Sequence, residues 1–195
     1  MLWRVAVEEK ILYLTFDDGP VPGPTEFVIE HLKKYKARAT FFCIGDNVRK
    51  HPSIFEEVLA EGHAIGNHTF NHLKGWSTSN QRYFENINLC NAQLTNHNLQ
   101  PTTLFRPPYG RITNSQIKTL KNQYQIVMWD VLTHDYSKTI SPEQCLKGTI
   151  KATRPGSIIV FHDSLKAERN ITYVLPKFLE HFTSQEYKFK TLLDV

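Results

Sequence analysis

Ile11-Leu12-Tyr13-Leu14-Thr15-Phe16-Asp17-Asp18-Gly19-Pro20 is a short, nearly unbroken apolar run that stops at two adjacent carboxylates and a Gly-Pro turn. A run of this length, closed by turn residues, reads as a strand buried on both faces, as in parallel sheets covered by helices. Two carboxylates so close repel one another unless a cation neutralises them. Asp-Asp-Gly-Pro alone is also a good turn, because Asp caps, Gly reaches positive φ and Pro cannot continue a helix. The strand in front of it favours the metal reading, since it delivers both carboxylates to a strand end.

Outward from this stretch, β-rich runs alternate with amphipathic segments. The runs are 11–16, 39–43, 63–67, 102–106, 125–130, 157–162 and 187–192, and their alternation with helices predicts repeated βα units around a parallel sheet. Helical spacing appears at Val28, Leu32 and Tyr35, and at Ile54, Phe55, Val58 and Leu59 behind Pro52. A longer stripe carries Tyr83, Ile87, Cys90 and Leu94. Ser141-Pro142-Glu143-Gln144 reads as a capping box with Pro in the first turn, and Leu146 and Ile150 are expected on the buried side of its helix. A last helix is expected to bury Val174, Leu175, Phe178 and Phe182. No repeat, low-complexity tract or linker interrupts the pattern, so residues 1–195 read as one α/β domain. Periodicity alone does not decide between a barrel and an open sheet, but both place active sites at the C-terminal ends of the strands.

The chain has 195 residues, 41% hydrophobic and 12% aromatic, enough for a full core. Its 23 Lys and Arg are scattered among 19 acids with a net charge of +4, and without a basic run they give no nucleic-acid footprint. Cys43, Cys90 and Cys145 lie far apart among apolar neighbours and are expected to be buried free thiols, which favours a reducing compartment. The opening residues show no basic segment followed by an apolar stretch of signal-peptide length, and no later run could span a bilayer. Read as it stands, the sequence is expected in the cytoplasm, with a cell-envelope role left open.

His68-Thr69-Phe70-Asn71-His72 follows the third run, and on a helical turn two histidines four apart would point the same way and share one ion. Isolated, such a pair is more often exposed or satisfied in a core than ligated to a metal. One Asp, two His and a vacant position suit a hydrolytic metal, with the second Asp left to move a proton. Arg106-Pro107-Pro108-Tyr109-Gly110 ends the fourth run; its double proline predicts a stiff extended turn, closed to helix, that aims Arg106 and the Tyr109 backbone N–H outward. Asp135 and Tyr136 follow the fifth run. His162 ends the sixth behind Val160 and Phe161, where a surface histidine is hard to explain and a core one is the plain alternative.

Taken in order, Thr15 to Pro20, His68 to His72, Arg106 to Gly110, Asp135-Tyr136 and Val160-Phe161-His162 resemble the five motifs of the NodB-homology polysaccharide deacetylases, carbohydrate esterase family four. The resemblance extends from about Ile11 to the C-terminus. It implies a distorted (β/α)7 barrel and metal-dependent removal of acetyl groups from N-acetylated sugars such as peptidoglycan or chitin-like oligosaccharides. Carried over residue by residue, it makes Asp17 the catalytic base and Asp18, His68 and His72 the ligands of one divalent metal, Zn2+ with Co2+ or Ni2+ as substitutes. Arg106 would orient Asp17, the Tyr109 N–H would bind the oxyanion, and His162, tuned by Asp135, would be the general acid. Tyr136 stands where the family usually has Trp, and Val160 where Leu is common; both would line the acetyl or sugar pocket. Trp76, Tyr109, Trp129 and Tyr136 could stack on sugar rings or belong to the core. The implied partner is an N-acetylated glycan met by a monomer, with no nucleic acid and no membrane span.

Two other functions fit the same motifs. One is an amidohydrolase of this fold acting on a small amide or imide. The other is an inactive, metal-containing carbohydrate-binding module, which loss of Asp17, Arg106 or His162 would have signalled. A glycosidase is disfavoured, because adjacent carboxylates cannot flank a bond from two sides.

Overall fold

The computed structural model describes residues 1–97 and 100–195. Strand β1 (Ile11–Asp17) is buried throughout, and its surroundings reveal the period of two that an apolar run conceals. Leu12, Leu14 and Phe16 join the helix-covered outer core, whereas Ile11 and Tyr13 pack with Phe42, Leu104, Val127 and Ile158 inside the curled sheet. The same alternation turns Thr15 and Asp17 inward.

The remaining strands are β2 (Ala39–Cys43), β3 (Ala64–Asn67), β4 (Leu104–Phe105), β5 (Gln125–Ile126), β6 (Val131–Leu132), β7 (Ile158–His162) and β8 (Lys188–Phe189). They form one parallel sheet in the order β5-β4-β3-β2-β1-β7-β6, with β8 beside the start of β1. The sheet curls into a distorted half-barrel. Leu2 bridges its β5 side through bonds with Ile126 and Met128, and the Val5 N–H reaches the Gly156 carbonyl.

All seven expected runs contain strand, but in 125–130 the strand ends at Ile126. The Asp130 carboxylate accepts from the Ile158 N–H at 2.9 Å and the Ser157 hydroxyl at 3.1 Å. This pulls the chain off the β4 edge and onto β7, where Val131–Leu132 makes a further strand.

Helices α1 (Pro24–Lys34), α3 (Pro52–Ala60), α4 (Asn80–Thr95), α6 (Pro142–Ala152) and α7 (Glu168–Thr183) stand where the periodicity predicts. Tyr83, Ile87, Cys90 and Leu94 are the buried stripe of α4, and Val174, Leu175, Phe178 and Phe182 that of α7. Ser141 and Gln144 cap α6 reciprocally. The buried edge of α6 is Cys145 and Thr149, however, with Leu146 and Ile150 only half-buried beside it. The helix is rotated by one residue, and Thr149 tolerates burial because its hydroxyl bonds the Cys145 carbonyl at 2.8 Å. Two short helices were not expected: α2 (Gly45–Lys50) and α5 (Asn114–Leu120). Both are too short to show a period, although Thr113 and Gln116 cap α5 with the same chemistry as α6. All three cysteines are free and buried. Among the described residues no helix is long and apolar enough to cross a membrane.

Register positions the site. Asp17 lies directly beside His162 in the β1–β7 pair. Cys43 is level with Asn67, and Asn67 with Phe105, so His68 and Arg106 leave the sheet at neighbouring points.

Candidate active site

Arg106 is fully buried and points into the barrel rather than outward. Its Nη1 donates to Asp17 Oδ1 and Thr15 Oγ1, both at 2.7 Å, and its Nη2 donates to the Met128 carbonyl at 2.9 Å. The guanidinium lies 4.1 Å from the Phe42 ring centroid. A buried charge persists only when paired and hydrogen-bonded, and inward is where its partners are. Burial by itself would raise the pKa of Asp17, but Arg106, with His68 and His162, outweighs it and holds the carboxyl below its ordinary value. Asp17 is therefore ionised, with Oδ2 free of the arginine.

Asp18, His68 and His72 converge on one point, their candidate ligand atoms all within 4.8 Å of one another. His72 Nε2 is 3.2 Å and His68 Nε2 3.8 Å from Asp18 Oδ1. The histidines do not share a helical turn. The segment is an irregular loop in which Thr69 (φ 64°) and His72 (φ 55°) are left-handed, as is Asp18 (φ 85°) across the site. A β-branched residue there costs about 1–3 kcal/mol and needs surroundings that over-determine it. Asn side chains supply them: Asn67 Oδ1 accepts from the Thr69 N–H at 2.8 Å, and Asn86 Oδ1 from the Phe70 and Asn71 N–H groups at 2.9 Å.

The protonation pattern suits ligation. His68 Nδ1 lies 2.8 Å from the Arg106 carbonyl, which can only accept, so Nδ1 carries a proton and Nε2 is the ring atom turned toward Asp18. Burial pushes His72 down to about 4, so it is neutral. Asp18 Oδ1 is buried without a hydrogen-bond partner among the described residues. An orphaned carboxylate oxygen facing two imidazole nitrogens is what a divalent cation would satisfy. The site can hold a metal ion.

The loop carrying both carboxylates is pinned from behind. Asn47 donates to the Asp18 carbonyl at 2.7 Å. Asp163, fully buried, accepts from the Gly19 N–H at 3.0 Å and the Thr25 hydroxyl at 2.7 Å. Burial drives its carboxyl up to about 8. Sequence reasoning gave Asp163 no task, and its position one residue after His162 on β7 was the available signal.

On the other wall, His162 Nδ1 is 2.8 Å from Asp135 Oδ1, and its backbone N–H donates to Asp135 Oδ2 at 2.7 Å. Asn170 anchors the Asp135 carbonyl at 2.7 Å. Burial opposes charge on the ring, yet Asp135, assisted by Asp18 and Asp17, lifts His162 to about 9. The imidazolium is the form present at neutral pH.

The double proline does not hold an extended turn. Pro107 is extended, but Pro108–Gly110 makes one tight 3-10 turn with Tyr109 left-handed (φ 60°). The Tyr109 ring lies tilted against that of His72, with centroids 4.5 Å apart, and is mostly exposed.

These groups surround a cavity of about 510 Å³ lined by Asp17, Asp18, His68, His72, Tyr109, Trp129, Tyr136, Val160 and His162. Tyr136 meets the His162 ring edge-on at 5.1 Å. Trp76 is not in the cavity wall: it is 59% exposed, and its indole N–H is tied to the Ile112 carbonyl at 3.0 Å. Three cations the sequence reading passed over, Lys74, Arg111 and Lys166, also line it, with Gly110 and Leu132.

A family model described as "Polysaccharide deacetylase" matches residues 4–128. A peptidoglycan-N-acetylglucosamine deacetylase of Bacillus cereus is 37% identical over 99% of this chain and 91% of its own length. A chitooligosaccharide deacetylase of Azorhizobium caulinodans is 35% identical, over 82% of this chain and 77% of its own. The crystal structure of a peptidoglycan N-acetylglucosamine deacetylase matches with a TM-score of 0.93 at 29% identity, covering 98% of this chain and 90% of that one. Longer relatives are spanned only in part, 55% and 38% of their length in two cases.

Proposed function

Since the chain belongs to the polysaccharide deacetylase family, carbohydrate esterase family four, we propose that it hydrolyses the acetamido groups of N-acetylated sugars in a metal-dependent reaction that releases acetate. The observation that carries this reading is one cavity holding an ionised Asp17, the Asp18-His68-His72 cluster and the His162–Asp135 pair. The catalytic domain is taken to be the whole of residues 1–195, and every group the reaction needs comes from this chain.

Asp18, His68 and His72 would hold one divalent cation; one oxygen and two imidazole nitrogens suit Zn2+, with Co2+ or Ni2+ able to replace it. When bound, the cation supplies Lewis acidity to the acyl oxygen and the attacking water. Asp17, kept ionised by Arg106, takes the proton from that water as it attacks the acyl carbon. The Tyr109 backbone N–H donates to the acyl oxygen as negative charge develops on it. His162, kept charged by Asp135, gives its proton to the departing nitrogen, without which the C–N bond would have to expel an amide anion. Val160, Tyr136 and Trp129 close the wall around the acetyl group and sugar, and Trp76 offers a platform farther out.

The test is acetate release from N-acetylglucosamine oligomers, peptidoglycan fragments and a panel of small amides by protein loaded with each cation. Asp17→Asn is expected to keep the metal and to lose about 10²–10⁴-fold in turnover. Full activity in Asp17→Asn would overturn the assignment of the base, and release from small amides alone would overturn the sugar reading.

A further inference from the structure

β5 and β6 are the two ends of the sheet order, and among the described residues no ladder joins them, so the curled sheet has an open seam. The chain crosses this seam at residues 127–130, between the end of β5 and the start of β6. Arg106 leans on the same crossing: its Nη2 donates to the Met128 carbonyl at 2.9 Å and its Nε to the Val127 carbonyl at 3.4 Å. The next residue, Trp129, stands on the cavity wall with its ring centroid 5.8 Å from the guanidinium. A carbonyl aims a buried donor only as well as its own peptide is held.

The segment Leu2–Val5, which lies ahead of all five motifs, does the holding. The Met128 N–H donates to the Leu2 carbonyl at 2.7 Å and the Leu2 N–H to the Ile126 carbonyl at 2.8 Å, so Leu2 pairs with Val127 as a parallel strand would. The peptide that donates to Leu2 is the one whose Val127 carbonyl accepts from Arg106, and hydrogen bonds chained through one peptide polarise and strengthen each other. On the far lip of the seam, the Val5 N–H donates to the Gly156 carbonyl at 2.9 Å, and Arg4 bridges Ser157 just before β7. Contact there is tight: a Cβ on Gly156 would stand 2.0 Å from the Val5 carbonyl oxygen. Leu2 also packs against the inner cluster of Val5, Phe42 and Val127, and Phe42 is the ring that faces the Arg106 guanidinium.

Resting on the deacetylase reading, we infer that Leu2–Val5 is a strap across the open seam that positions Arg106, and through it the Asp17 carboxylate, for the reaction. Leu2 and Val5 are positioning residues that act through backbone hydrogen bonds, away from the cavity. Loosening the strap frees the two carbonyls that aim the guanidinium, so Asp17 drifts from the alignment that attack requires. The loss falls on kcat rather than on KM.

Leu2→Pro removes the N–H tied to Ile126, Val5→Pro removes the one tied to Gly156, and Leu2→Ile keeps its donor. Acetate release from N-acetylglucosamine oligomers and peptidoglycan fragments is measured on each metal-loaded variant, alone and combined with Arg106→Met. Either proline is expected to lower kcat about 3–30-fold and to leave KM within about twofold, whereas Leu2→Ile matches the wild type. In Arg106→Met the same prolines cost less than about twofold more, because the group they position is gone. Val174→Ala, which loosens the helix-covered core away from the seam, should keep the wild-type kcat well below its Tm. NMR of the Arg106 Nε–H supplies a readout without turnover: its exchange with solvent should quicken at least about tenfold in the proline variants. Leu2→Gly, which strips only the side-chain anchor, should show both effects more weakly and decides the matter if neither proline variant folds. An unchanged kcat in the strap variants, an equal further fall in Arg106→Met, or the same fall in Val174→Ala overturns the inference while leaving the deacetylase reading in place. Absence of acetate release from every glycan by the wild type overturns the deacetylase reading instead; faster Arg106 exchange then still supports the strap, and unchanged exchange sinks it.

Discussion

Replacing Arg106 by Met removes the charge that keeps Asp17 ionised and roughly preserves the volume packed against Phe42. The arginine is fully buried, and it makes four contacts: Asp17, Thr15 and the carbonyls of Met128 and Val127. Removing one partner of a buried pair leaves an uncompensated charge, at a cost of about 3–5 kcal/mol. In a chain of this size that corresponds to a fall of roughly 6–20 °C in Tm. Part of the loss is independent of pH, because the two carbonyls lose their donors. The rest follows Asp17. In the wild type its carboxyl is held below the ordinary 3.8, so it contributes stability above that value and loses it as the pH falls through the folded-state pKa. In Arg106→Met, burial dominates and the pKa rises above 3.8, so this carboxyl destabilises the fold increasingly as the pH rises. The gap between wild type and variant is therefore widest near neutral pH and shrinks toward about pH 4. Urea unfolding of chelator-treated protein across this range measures it, and Arg106→Met/Asp17→Asn should regain the pH-dependent part. A loss under about 1 kcal/mol, or a gap equally wide in acid and at neutrality, would refute the reasoning.

Asp135→Asn takes away the carboxylate that lifts His162 to about 9; since the proton donor is lost as pH rises through that pKa, the alkaline limb of kcat/KM should move to lower pH, and an unmoved limb would sink the pairing. Gly19→Ala would place a Cβ 1.9 Å from Asp163 Oδ2, so it should cost about 1–3 kcal/mol or more in denaturant unfolding, and a neutral result would show that the Asp163 clamp is not tight. Chelation should abolish acetate release, with recovery on adding Zn2+, Co2+ or Ni2+, and added metal should raise Tm through mass action. His72→Ala should lose most of that metal-induced rise, whereas an undiminished rise would place the ion elsewhere.

The chemistry of the site was legible because it sits on short strings with strong local grammar. A buried run ending in Asp17-Asp18, a pair of histidines after another run, and His162 behind four apolar residues each announce a strand end. The caps of α6 and the stripes of α4 and α7 were equally plain, since helical period and capping are local properties. Local rules failed where another element decides. Arg106 looked like a residue aimed outward, and it turns inward because Thr15, Asp17 and the Met128 carbonyl lie there, up to 91 residues away in sequence. Val131–Leu132 became a separate strand because Asp130 caps the start of β7.

By itself the sequence determined the alternation of strands and helices and marked the carboxylates and histidines at the strand ends as candidates for a site, since both follow from residue type and spacing within a few neighbours. Only the tertiary structure decided how they meet. Parallel register sets Asp17 beside His162, and Asn67 and Asn86 hold Thr69 and its loop neighbours in the irregular path that swings His72 toward Asp18. Left-handed backbone of that kind is unfavourable in isolation, and only packing from distant segments can stabilise it.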